Sequence, residues 1–180
     1  YRPYFDAKFT TIGAMLDTVP DDCTFYGVAH HEPEDMTAAA FKALQAAHMP
    51  VVRAHGGIPT AIFTSYSLNN PTNHNFNLAD WKCPDGTHDV LGGDYYPDKS
   101  PGWTQAQTVD HWRSAMTTFG VDRLMIGEYG VVNGSSGAVA TVTEFKGLIA
   151  DLVEVACYWS QQASGKPNYR FTTAVADAWF

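Results

Sequence analysis

At 180 residues, with 45% hydrophobic, 13% aromatic and 17% charged residues, the chain has the size and composition of one folded domain and not of a disordered segment. A formal net charge of −8 argues against a nucleic-acid partner, which needs Lys and Arg gathered into a patch. No apolar run approaches the roughly 20 residues that cross a bilayer, and the first residues, YRPYFDAKF, lack the charged-then-apolar order of a signal peptide.

From Tyr4 to Leu16 the apolar residues Phe5, Phe9, Ile12 and Leu16 recur at helical spacing, and Pro20 with Asp21 and Asp22 closes the segment. Thr24 to Ala29 then reads as a short strand. It runs into GVAHHEPED, Gly27 to Asp35, which places His30, His31, Glu32, Glu34 and Asp35 where that strand should end. Asp35 or Thr37 can cap a following helix with Phe41, Leu44 and His48 on one side. Ile58 to Tyr66, β-branched and aromatic, is a second strand.

Asn69 to Thr87 shows no periodicity and reads as a long loop, of a length that is usually functional or mobile. Asp89 to Tyr95 follows as a third strand. Thr104 opens a helix that turns Val109, Trp112, Met116 and Phe119 inward, and Arg123 to Gly127 is the fourth strand. Thr141 to Glu144 has the form of a capping box ahead of Phe145, Leu148, Ile149, Leu152 and Val153. A last strand, Val155 to Trp159, precedes a helix-like stretch ending at Trp179 and Phe180.

Strand and helix therefore alternate, which predicts an α/β fold of parallel βα units with about five strands. In such sheets ligands bind beyond the carboxyl ends of the strands. Those exits read HHEPED, SYSLNN, DYYPD, GEYG and YWSQQ, and two of them carry a glutamate at the strand's end: Glu32 and Glu128. A paired carboxylic acid and carboxylate is what the retaining cleavage of a glycosidic bond requires, one to protonate the leaving oxygen and the other to attack the sugar carbon.

The remaining chemistry-bearing residues are weaker signals. Consecutive His and carboxylate residues rarely converge on one ion, and the chain has no HExxH spacing, so Asp35 reads as a helix cap and Glu34 as a salt-bridging or substrate-proximal neighbour. Cys23, Cys83 and Cys157 give neither a disulfide framework nor a metal spacing. Cys157 reads as a core residue, and a bridge between Cys23 and Cys83 is left open. The glycine pairs at Gly56 and Gly92 match no phosphate cradle. Asp94 reads as structural or as orienting a loop or a sugar hydroxyl.

His31-Glu32-Pro33, Asp94-Tyr95-Tyr96, Gly127-Glu128-Tyr129-Gly130 and Tyr158-Trp159, each at a strand exit, resemble strands four, six, seven and eight of the retaining glycoside hydrolases. These have a (β/α)8 barrel with acid and nucleophile on strands four and seven. His31 before Glu32 resembles the mannanase-like family 26 branch. The resemblance implies Glu32 as acid/base, Glu128 as nucleophile, His31 as a contact to substrate or nucleophile, Tyr96 as a hydrogen-bond donor to Glu128, and Trp159 as a platform for a sugar ring. Tyr95 shares the strand exit with Tyr96 and is the alternative to it. Trp103, Trp81 and Tyr66 are further stacking candidates.

The resemblance spans strands four to eight of the barrel, one partial domain over residues 1–180. It implies a polysaccharide or oligosaccharide substrate, no cofactor, no metal, an extracellular or virion-associated setting, and further chain segments or copies that complete the barrel. Two other readings stand beside it: a carbohydrate-binding or structural module without turnover, and a metal-dependent hydrolase.

Overall fold

The computed structural model describes residues 11–73, 76–99, 102–132, 137–158 and 172–179. A short helix α1 (Ile12–Leu16), capped by the Thr11 hydroxyl, leads to strand β1 (Tyr26–His31) and helix α2 (Ala38–Ala54), whose first turn is capped by Thr37 rather than Asp35. Strand β2 (Ile58–Thr64) passes directly into helix α3 (Ser65–Asn69), so the predicted second strand ends at Thr64 and not at Tyr66. The reason is local: the Thr64 hydroxyl accepts from the Ser67 N–H and starts a helix there.

The segment predicted as a long loop is packed instead. It contains two short antiparallel strands, β3 (Thr72–Asn73) and β4 (Phe76–Asn77), and a 3-10 turn over Leu78–Trp81. Leu78, Trp81 and Cys83 are buried. The Trp81 ring meets Phe41, Phe63 and Phe76 at centroid distances of 5.8, 6.1 and 5.3 Å, which removes Trp81 from the sugar-stacking candidates. Strand β5 (Val90–Tyr95), helix α4 (Gln105–Phe119), strand β6 (Leu124–Tyr129), helix α5 (Ala138–Ile149), strand β7 (Val153–Tyr158) and helix α6 (Thr173–Trp179) complete the order.

Helix α4 begins with the capping box that its Thr104 and Gln107 form, and ends on Gly120 at φ 75°, where a side chain would be strained. Helix α5 starts at Ala138, three residues before the predicted box; Thr141 already donates its backbone N–H to Gly137 O at 2.8 Å. The Thr-x-x-Glu pattern sits inside the helix because the apolar stripe extends N-terminally through Ala138 and Val142, both buried.

The five long strands form one sheet in the order β1-β2-β5-β6-β7, every pairing parallel. This is the α/β class expected, with strands and helices alternating as in part of a (β/α)8 barrel. Its core is aromatic: Tyr129 stacks on Phe145 at 4.6 Å and on Trp179 at 4.9 Å, and Tyr95 packs against Trp112 and Phe145. Burying rings of this size supplies most of the apolar stabilisation of a sheet and helix layer. No described helix is long and apolar enough to cross a membrane. Cys23, exposed, and Cys83, buried, are both free thiols, and Cys157, expected in the core, is an exposed free thiol on β7, an outer strand of the sheet.

Candidate active site

Because all five strands run the same way, the exits of β1, β5 and β6 open on one side of the sheet. The residues there sit at irregularities. Register slips between Val28 and His31 in β1, between Gly93 and Asp94 in β5, and between Ile126 and Tyr129 in β6. Such slips re-aim side chains at strand ends. Asp94 and Glu128 are register partners.

Glu32 is the first residue beyond β1. Its backbone N–H still reaches Ile62 O at 3.2 Å, but its backbone is left-handed, at φ 50° and ψ 68°, alone among the described non-glycine residues. A glutamate gains nothing locally from that conformation, and strain of this kind is characteristic of functional positions. Solvent reaches Glu32, yet the surrounding protein desolvates its carboxyl and the carboxylates of Asp94, Glu34 and Glu128 repel its charge. Together these push its pKa up to about 7 against a partial pull from His31. It is therefore largely protonated below neutrality.

Glu128 is held differently. Tyr96 donates its hydroxyl to Glu128 Oε2 at 2.6 Å, and His31 Nε2 lies 4.0 Å from Glu128 Oε1. Both contacts orient the carboxylate. Lys99 Nζ lies 4.2 Å from the Tyr96 ring centroid. Tyr95, one residue away on the opposite face, is 1% exposed and belongs to the core. The strand's alternation thus excludes Tyr95 from the site and puts Asp94 and Tyr96 on its side.

His31 stands between the two carboxylates of β5 and β6. Its Nε2 is 2.6 Å from Asp94 Oδ2, and that contact, with the charge of Asp94, Glu128 and Glu32, raises its pKa despite partial burial. Asp94 is 3% exposed; burial raises its own pKa, with His31 and the Glu128 backbone N–H drawing it back. Its second oxygen, Oδ1, lies against Gly127, where a Cβ would collide with it and with Ile62. Gly127 is small because Asp94 occupies that space.

Glu34, two residues past Glu32, accepts from the Thr64 N–H at 2.8 Å and from the Thr64 hydroxyl at 2.9 Å, tying the exit of β1 to that of β2. Trp103, half-buried between β5 and α4, meets Tyr66 and His111 at centroid distances of 6.5 and 6.4 Å. Trp159 lies outside the described residues. Asp94 is the residue that the sequence reading undervalued; its two-residue offset from Tyr96 was the available signal.

His31, Asp94 and Glu128 bring one ligand atom each to within 4.8 Å of one another, the donor types that a divalent ion would take. His31 and Asp94 are already in direct contact, so an ion would have to open that hydrogen bond. The set reads as a charge network rather than a preformed metal centre.

No protein-family model matches the chain, and no curated protein matches it. Solved structures do. An endo-β-1,4-glucanase from Xanthomonas axonopodis pv. citri is similar at a TM-score of 0.58 and 13% identity, over 93% of this chain and 62% of that one. A family 128 (subgroup I) endo-β-1,3-glucanase from Amycolatopsis mediterranei, determined with laminaritriose, is similar at 0.56 and 16% identity, over 86% and 70%. A family 26 domain from Prevotella bryantii reaches a TM-score of 0.46 at 18% identity, too distant to argue from.

The chain thus has a fold found in glycoside hydrolases and spans 62% of the length of the first of these enzymes.

Proposed function

We propose that the protein is a retaining glycoside hydrolase that cleaves a β-linked polysaccharide. The carrying observation is the division of labour between two glutamates at the exits of β1 and β6: Glu32 with its pKa raised to about 7, and Glu128 held by Tyr96 and faced by His31. A raised pKa suits Glu32 to the role of acid, and the hydroxyl and imidazole beside Glu128 hold it in place for attack. Glu32 protonates the glycosidic oxygen as the bond breaks, and Glu128 attacks the anomeric carbon to form a glycosyl-enzyme. Glu32, now a carboxylate, takes a proton from the water that hydrolyses that ester, and both groups return to their starting states.

His31 would contact the substrate or Glu128, with Asp94 holding its ring. Trp159 and Trp103 would stack sugar rings. His31-Glu32 favours mannan, through the family 26 resemblance, while the activities named for the two similar enzymes favour β-glucan. The barrel would be completed by further chain segments or copies at β1 and β7, the outer strands of the sheet. An extracellular or virion-associated setting fits a polysaccharide substrate.

Release of reducing ends from mannans, β-1,3-glucans and β-1,4-glucans tests the reading, with Glu32→Gln and Glu128→Gln as controls. Turnover that both substitutions abolish supports it. A second reading, a carbohydrate-binding or structural module, is favoured by β1 and β7 standing as edge strands among the described residues and predicts glycan binding with no turnover.

A further inference from the structure

Two aromatic side chains near the mouth have no place in the core. Tyr66 is 58% exposed, one of two large hydrophobic side chains so exposed among the described residues, and the half-buried Trp103 stands edge-on to it, with the rings at 75°. Both are anchored at helix starts on the carboxyl side of the sheet. Tyr66 lies in the first turn of α3, which the Thr64 hydroxyl caps; Trp103 immediately precedes Thr104, the N-cap of α4.

A polar network locks the two helices together. Asn69 donates its Nδ2 to the Thr108 hydroxyl at 3.2 Å, and His111 Nδ1 lies 3.4 Å from Asn69 Oδ1. The His111 ring in turn faces Trp103 at 6.4 Å. Glu34, through Thr64, fixes α3 relative to the exit that carries Glu32. The helices that carry the two rings are thus fixed relative to each other and to the exit of β1, so the backbone positions of Tyr66 and Trp103 are set before any ligand binds.

Topology supplies the direction. Glu32 follows β1 and Glu128 lies on β6, with β2 and β5 between those strands in the sheet. Two carboxyl groups acting on one glycosidic bond flank it, so the sugar chain crosses the line that joins them. One arm of the chain then passes over the exits of β2 and β5, where Tyr66 and Trp103 stand.

We propose that Tyr66 and Trp103 form an L-shaped sugar subsite, remote from the scissile bond, that grips one arm of a β-linked pyranose chain. The C–H face of a pyranose lies on one ring and is bounded by the other. This inference rests on the glycosidase reading and adds to it a dependence on substrate length. Tyr66 and Trp103 are assigned to binding rather than to the chemical step.

The test is kcat/KM for the full-length protein and for Tyr66→Ala, Trp103→Ala, Tyr66→Phe and Trp103→Phe. The substrates are di- and hexasaccharides of the mannan, β-1,3-glucan and β-1,4-glucan series, and melting temperatures check each fold. The alanine variants should lose about tenfold on the hexasaccharide that the wild type prefers and markedly less on its disaccharide. The loss should fall mainly on KM, and the phenylalanine variants should recover most of it.

Equal losses at both lengths in folded variants, or no loss at either, overturn the subsite while leaving the glycosidase reading intact. A wild type that cleaves none of these glycans overturns the glycosidase reading, and the subsite with it.

Discussion

His31 Nε2 lies 2.6 Å from Oδ2 of Asp94, a carboxylate that is 3% exposed and register-paired with Glu128. The contact places a buried negative charge behind an imidazole that faces both glutamates. Asp94 raises the pKa of His31 through their hydrogen bond and that of Glu32 through its charge.

Asp94→Asn keeps the shape and removes the charge. Glu32 should then lose its proton at lower pH, so the alkaline limb of the activity profile moves down, and kcat should fall by roughly 100-fold as acid catalysis weakens. A pH–rate profile of the variant checks this; an unmoved alkaline limb would show that Asp94 does not influence the acid.

Tyr96→Phe removes the donor at 2.6 Å from Glu128 Oε2. That donor fixes the carboxylate for attack, so its loss should lower kcat by about tenfold or more. Unchanged melting temperature would separate this from a folding defect.

Glu32 also leaves a signature in stability. Its folded carboxyl titrates near 7 against an ordinary 4.5, so between those values the folded state binds a proton that the unfolded state has released. Its contribution therefore favours the fold most at low pH and is lost as pH rises through about 7. Chemical denaturation of wild type and Glu32→Gln across this range should show a slope difference of that sign.

The left-handed backbone at Glu32, φ 50°, predicts that Glu32→Gly is more stable than Glu32→Ala by about 1 kcal/mol, although both lack the acid. Matched urea titrations measure the difference. Equal stabilities would mean that the conformation carries no strain.

Much of this was legible in the sequence because the signals were periodic. Alternating β-branched strands and amphipathic helices predicted the parallel α/β order, and the exits of those strands singled out Glu32 and Glu128, to which the family resemblance added His31 and Tyr96. Three features were not legible. Residues 69–87 carry few periodic positions, yet Leu78 and Trp81 bury themselves against Phe41 and Phe63, a tertiary contact that no local pattern announces. Thr64 reads as a strand residue until Glu34 and Ser67 are seen to use its hydroxyl. Asp94 reads as structural or as orienting a loop or a sugar hydroxyl, and its contact with His31 follows from a slip in register at Gly93 that the sequence does not announce.

The assignment of the acid is tested by leaving-group dependence. Glu32→Gln should spare aryl glycosides whose phenols leave without a proton and lose about 100-fold or more on the natural glycan. Equal losses on both would remove Glu32 from that role.

The most direct test of the double displacement is Glu128→Ala given an activated aryl glycoside and azide. With the nucleophile gone, azide should attack the anomeric carbon from the vacated face and yield a glycosyl azide of inverted configuration, identified by NMR. A folded Glu128→Ala protein that forms no such product, on a substrate the wild type cleaves, would contradict Glu128 as the nucleophile and the two-glutamate mechanism with it.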